Sequence, residues 1–168
     1  MNCPAIVFLA AAFSSAAMAD QSGNATIAAN GYVNVGGGST TGGLFFPSSG
    51  TAFTEGAAGG EVVIAETVGL GGEVGIVKRH SSFGFVSLDA SFHLLRHRAT
   101  GKVDPFFTGG YTKTYNEFSG ANGANFGFGL NYWLTRRLGV RAEFLDMVFT
   151  AGVPTTNFWA IRGGIVFR

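Results

Sequence analysis

The feature that most constrains this chain is high apolarity without any uninterrupted apolar run of membrane-helix length beyond residue 20. Mean hydropathy is +0.28 and only 12% of residues are charged, yet a membrane helix needs roughly 20 consecutive apolar residues. Here apolar or aromatic side chains recur at every second position, with Gly, Asn, Ser or a charge between them. Lipid leaves the backbone two ways to satisfy its N–H and C=O groups, the helix and the closed barrel. The pattern predicts the second: an all-β, eight-stranded antiparallel up-and-down transmembrane β-barrel.

Residues 5–19 form an apolar stretch that ends in Ala17-Met18-Ala19, which fits the small-x-small cleavage rule of a secretory signal peptide. The expected division is a signal peptide over 1–19 and a barrel domain over 20–168. The start, Met1-Asn2-Cys3-Pro4, carries no Lys or Arg. Cys3 is the only cysteine and lies in the segment expected to be removed. No disulfide, thiolate nucleophile or cysteine metal site is therefore expected. Eleven basic and ten acidic side chains give a formal charge of +1, which offers nothing to nucleic acid.

Starting at Asp20 leaves about 149 residues, enough for eight strands of roughly 9–11 residues with their connections. The segments run near 26–38, 57–65, 68–78, 83–97, 103–112, 125–134, 138–149 and 157–168. The sixth is the clearest: Phe126, Phe128, Leu130 and Tyr132 alternate with Gly127, Gly129 and Asn131. Such alternation repeated along a chain is a strand signal, and helix spacing fits it poorly. In the fourth segment Phe83 and Phe85 share the parity of Ser87, Asp89, Ser91 and His93, so a bulge or a register change near Phe85 is expected. The connections at 66–67, around 100–101 and at 135–137 are short. Those at 39–56, 113–121 and 150–156 are longer, while 79–82 is short. Short periplasmic turns alternating with longer outer loops are the habit of such barrels, and the count puts both termini in the periplasm.

Charges orient the faces. Glu61, Glu73, Asp89, Arg141, Glu143 and Arg162 all fall on the polar parity. A Lys or Arg facing lipid at mid-depth costs roughly 2–4 kcal/mol, so these six are expected to point inward. An eight-stranded interior is just wide enough for side chains to fill it. The six are therefore expected to form one polar plug, with Arg141 and Arg162 as cations and His93 or Arg79 as further members near the ends. An ion or proton path is the competing use of the same charges. Aromatic girdles are expected at the two interfaces: Tyr132, Trp133, Phe106 and Phe167 on the periplasmic side, and Phe83, Tyr111, Phe149 and Trp159 on the outer side.

The chain resembles the outer-membrane β-barrel family that includes the OmpA transmembrane domain and the small OmpX/Ail-type barrels. The resemblance is carried by Gly59-Gly60-Glu61-Val62, Leu70-Gly71-Gly72-Glu73-Val74-Gly75, Asp104-Pro105-Phe106-Phe107-Thr108-Gly109-Gly110, Phe126 to Tyr132, and Leu138 to Phe144. It implies a bacterial outer-membrane location, assembly by the barrel-assembly machinery and outer-membrane lipids as surroundings. It also implies a structural or surface-interaction role without catalytic centre, cofactor or metal. The family's assembly signal usually ends in an aromatic residue, whereas Phe167 here precedes Arg168. No sequence follows the eighth segment, so the peptidoglycan-binding domain attached to OmpA itself is not expected.

Other chemistry weighs less. His93 and His97 on one strand lie roughly 13 Å apart, too far for one ion. Gly69-Leu70-Gly71-Gly72 lacks the Lys-Ser/Thr of a phosphate loop. His80, Ser81 and Ser82 bring to mind lipid A-modifying barrel enzymes, but no local carboxylate accompanies them to orient a nucleophile. In the 39–56 loop, Leu44-Phe45-Phe46-Pro47 and Ala52-Phe53 are apolar; the favoured reading is a mobile loop that folds over the barrel mouth, and the competing one is a contact with the outer leaflet or an extracellular surface partner. The transport alternative, a narrow channel for small or hydrophobic compounds as in the OmpW barrels, requires an open apolar tunnel.

Overall fold

The computed structural model describes residues 27–40, 50–79, 82–95, 102–115, 120–149 and 156–168. The expected signal segment 1–19 and its cleavage site lie outside these, as do Leu44 to Pro47, His80, Ser81 and His97. The described residues form eight strands: β1 Ile27–Thr40, β2 Ala52–Ile64, β3 Val68–Lys78, β4 Ser82–His93, β5 Val103–Tyr115, β6 Asn122–Trp133, β7 Leu138–Phe149 and β8 Thr156–Phe167. Each pairs antiparallel with the next, and β8 returns to β1 from Gly31↔Phe167 to Thr40↔Phe158, closing the barrel. Closure leaves no edge strand with unpaired backbone groups.

Alternation sets which residues face out. Val33, Val35, Leu70, Ile76, Leu88, Phe107, Phe128, Val140 and Ile161 stand on the outside, each more than a third exposed. An apolar belt of this extent is far larger than the patches that monomers in water display. It is the surface of a barrel solvated by hydrocarbon. Among the described strand residues, the outward positions carry charge only at Lys78, Lys113 and Asp146. Asp146 stands in register between Phe126 and Trp159 and is 2% exposed.

Three sequence expectations are corrected here. No bulge interrupts β4: its register with β3 runs unbroken from Val68↔Phe92 to Lys78↔Ser82. Phe83 and Phe85 keep the inward parity because the interior at that end is apolar. The connection expected at 39–56 is shorter, since β1 reaches Thr40 and β2 begins at Ala52. Phe53 is therefore an inward strand residue, not part of an apolar loop. Strand β4 ends at His93 rather than 97 and β5 extends to Tyr115.

The β2–β3 connection spans only residues 65–67. Ala65 and Glu66 have φ of 52° and 63°, and the Thr67 amide donates to the Ile64 carbonyl at 3.3 Å. Two consecutive left-handed residues mark the type I′ turn that matches strand twist. Between β6 and β7, the Thr135 hydroxyl accepts from the amides of Arg137 and Leu138 at 3.2 and 3.0 Å.

Candidate functional site: the filled interior

Inward side chains divide the interior into a polar lattice and an apolar septum. The lattice starts at Arg162 on β8, whose Nη1 donates to Glu73 Oε1 at 2.6 Å and Nη2 to Glu143 Oε2 at 2.8 Å. The same Glu143 oxygen accepts from Arg141 Nε at 3.2 Å. Arg141 Nη1 donates to Asn131 Oδ1 at 3.5 Å, and Asn131 Nδ2 to Asp104 Oδ2 at 3.3 Å. Asp104 Oδ1 lies 2.7 Å from His93 Nδ1, and His93 Nε2 lies 3.5 Å from Glu61 Oε2. Glu61 accepts in turn from Ser91 at 2.7 Å and from Asn30 at 3.1 Å. Followed from Glu73 to Asn30, this one chain of contacts touches every strand: β3, β8, β7, β6, β5, β4, β2 and β1.

Two glycines make room for it. Gly36 stands in register between Glu55 and Arg162, and a Cβ there would lie 3.0 Å from Arg162 Cγ. A Cβ on Gly129 would sit 2.5 Å from the ring of Phe106. Phe106 in turn stacks under Arg141, whose guanidinium carbon lies 4.0 Å from that ring and 4.3 Å from the ring of Tyr32. A cation held between two aromatic faces keeps favourable electrostatics where water is excluded. At the short-turn end, Arg168 covers the Trp133 ring at 3.8 Å.

Of the six residues singled out from sequence, Glu61, Glu73, Arg141, Glu143 and Arg162 sit in this lattice. Asp89 does not meet an arginine. It accepts from Asn125 at 2.7 Å, and Asn125 also donates to Thr112, whose hydroxyl lies 2.7 Å from that of Ser87. His93 is in the lattice, whereas Arg79 is exposed beyond β3. Sequence reasoning missed Asp104 and Glu55. Asp104 lies two residues before Phe106 on the inward parity, which is the signal that could have found it. Glu55 was hidden in the presumed loop. It is 5% exposed, 3.8 Å from Arg162 Nε, and neither carboxylate oxygen has a hydrogen-bond partner among the described residues.

The septum closes the long-loop end. Phe158 packs against Phe53, Phe83 and Phe149 with ring centroids 5.7, 5.6 and 5.6 Å away. Phe85, Val77 and Met147 fill the space around them. This corrects the girdle assignment. Phe83 and Phe149 pack in the septum, and Phe106 and Trp133 are 1% and 4% exposed inside the barrel. Tyr111, Tyr132 and Phe167 do face outward, and Trp159 stacks beside Phe144 on the outer face.

With that geometry in view, the barrel matches solved structures closely in architecture and weakly in sequence. The N-terminal β-barrel domain of Pseudomonas aeruginosa OprF superposes with a TM-score of 0.57 at 18% identity, over 83% of this chain and 96% of that one. Neisserial surface protein A gives 0.63 at 8% identity, over 86% and 99%. The chain has the fold of the small transmembrane β-barrels. A de novo designed transmembrane β-barrel matches it too, with a TM-score of 0.54 at 14% identity over 83% and 93%. At such identities the likeness is one of barrel architecture. No family model matches the chain, and no curated protein matches it in sequence.

Proposed function

We propose that this barrel is a non-enzymatic component of the bacterial outer membrane, with both termini in the periplasm and a role in envelope structure or surface interaction. One observation carries the reading: a single chain of inward contacts links all eight strands beneath a septum of phenyl rings. An interior committed to holding its own wall together serves a scaffold better than a conduit, because narrow barrels fill themselves with side chains. The septum weighs against the transport alternative, which needs an open bore.

Outer-membrane lipids surround the apolar belt in this reading, and the barrel-assembly machinery inserts it. The segment between β1 and β2 is the candidate contact for an extracellular partner. Expression with membrane fractionation tests the location. Recovery in the outer membrane, with gel migration that shifts on boiling, supports the proposal. Recovery as a monomer dissolved without detergent rejects it. Planar-bilayer recording of the wild-type protein then separates scaffold from channel: a quiet bilayer supports the scaffold, and steady unitary currents reject it.

A further inference from the structure

The outward faces of the eight strands are almost free of charge, which makes the exceptions informative. Lys78 and Lys113 are exposed on that face, and both stand near the long-loop end of their strands. They are also neighbours across β4: Lys78 pairs with Ser82 and Lys113 with Val86. Four residues along β4 and two strand spacings across separate their Cα atoms by roughly 16 Å. Flexible lysine stems on such a base can converge on one headgroup.

Their depth is marked independently. Lys113 Nζ lies 5.5 Å from the centroid of the Tyr115 ring. Tyr111, on the same face, donates its hydroxyl to Asn122 at 2.6 Å. Outward tyrosines sit where headgroups meet hydrocarbon. Next to Lys78, on its β2 side, an open groove of about 530 Å³ is lined by Ala52, Phe53, Thr54, Lys78 and Arg79, which puts a guanidinium beside the Lys78 ammonium.

We propose that this rim of β3–β5 binds the phosphorylated headgroup of a lipid in the leaflet at the long-loop end, through Lys78, Arg79 and Lys113. The class of partner follows from the surroundings. Ile76 lies one outward position below Lys78, Val86 pairs beside Lys113, and Leu88 lies one outward position further in, all exposed to hydrocarbon. A ligand seated there must bring phosphate above and acyl chains below. A soluble polyanion or an acidic peptide would place its own polar flank against that belt.

The test uses the full barrel refolded into phosphatidylcholine nanodiscs, with fluorescent bis-phosphoryl lipid A as probe. The Lys78→Gln/Lys113→Gln variant is expected to bind about thirtyfold more weakly, two surface charges having been lost. Lys78→Arg/Lys113→Arg is expected to retain binding. Lys102→Gln/Arg136→Gln, at the opposite end, is expected to match wild type. Inorganic phosphate is expected not to displace the probe. Binding by the glutamine variant within about twofold of wild type, equal loss in the Lys102/Arg136 control, or full displacement by free phosphate would each overturn the proposal. Heat-shifted gel migration of every variant confirms that the barrel is intact.

Assigning that leaflet to the cell surface rests on the orientation proposed above. An epitope inserted within 41–49 tests it separately in intact cells. A hidden epitope alongside unchanged nanodisc binding rejects the orientation and leaves the lysine site standing.

Discussion

Arg162 on the last strand donates to Glu73 on the third at 2.6 Å, across the barrel interior and 89 residues of sequence. The same guanidinium grips Glu143 on the neighbouring strand, so one side chain ties the closing seam to the opposite wall. Removing one partner of a buried ion pair costs about 3–5 kcal/mol, because the other charge stays buried without compensation.

Arg162→Met is therefore expected to lower stability by about 3–5 kcal/mol, read from urea titration of the refolded barrel in vesicles. Glu55→Gln should cost less than about 1 kcal/mol, since Glu55 makes no hydrogen bond that the amide would lose. Equal effects at the two positions would mean that the Arg162 hydrogen bonds do not carry the stability.

Facing along β7 gives a sharper contrast. Val140 is 45% exposed and Arg141 is 6% exposed. Val140→Arg puts a cation into lipid at a cost of roughly 2–4 kcal/mol and is expected to abolish membrane assembly. Arg141→Gln should assemble and only melt earlier. The check is the yield of heat-modifiable protein in the membrane fraction.

Phe158 is the hub of the septum, in contact with three other phenyl rings. Phe158→Ala is expected to destabilise by about 3–5 kcal/mol and to raise planar-bilayer conductance above the wild-type baseline. Unchanged conductance in a folded variant would place the barrier lower down, in the ion-pair lattice.

The β2–β3 turn holds two non-glycine residues at positive φ. Each left-handed L-residue costs on the order of 1–2 kcal/mol. Ala65→Asn with Glu66→Gly supplies the pair that type I′ turns favour and is expected to raise the urea midpoint of the refolded barrel.

Much of this architecture was legible because lipid enforces strict alternation. The bounds of β7 read from sequence coincide with Leu138–Phe149, since Val140, Ala142 and Phe144 alternate with Arg141 and Glu143. The start of β2 was not legible. From Ala52 to Ala57 both faces mix small and polar residues, and the inward Phe53 reads like a lipid-facing residue. The septum was hidden for another reason: Phe83 and Phe85 share the inward parity of Ser87 and Asp89, but phenyl rings on the polar parity read as a break in register rather than as interior filling. The lattice was legible in membership but not in connectivity. Which strand Arg162 reaches depends on barrel diameter and shear, which no local pattern encodes. Asp146 breaks the parity rule outright, an outward carboxylate hidden beside aromatic neighbours.

The most direct test of the account is nitroxide scanning along β7 in a Cys3→Ser background, recording collision with lipid-dissolved oxygen at successive positions from Leu138 to Leu145. The account predicts high accessibility at 138, 140, 142 and 144 and low accessibility at 139, 141, 143 and 145. A flat profile, or one repeating every three to four residues, would contradict a barrel with lipid outside and its charges within.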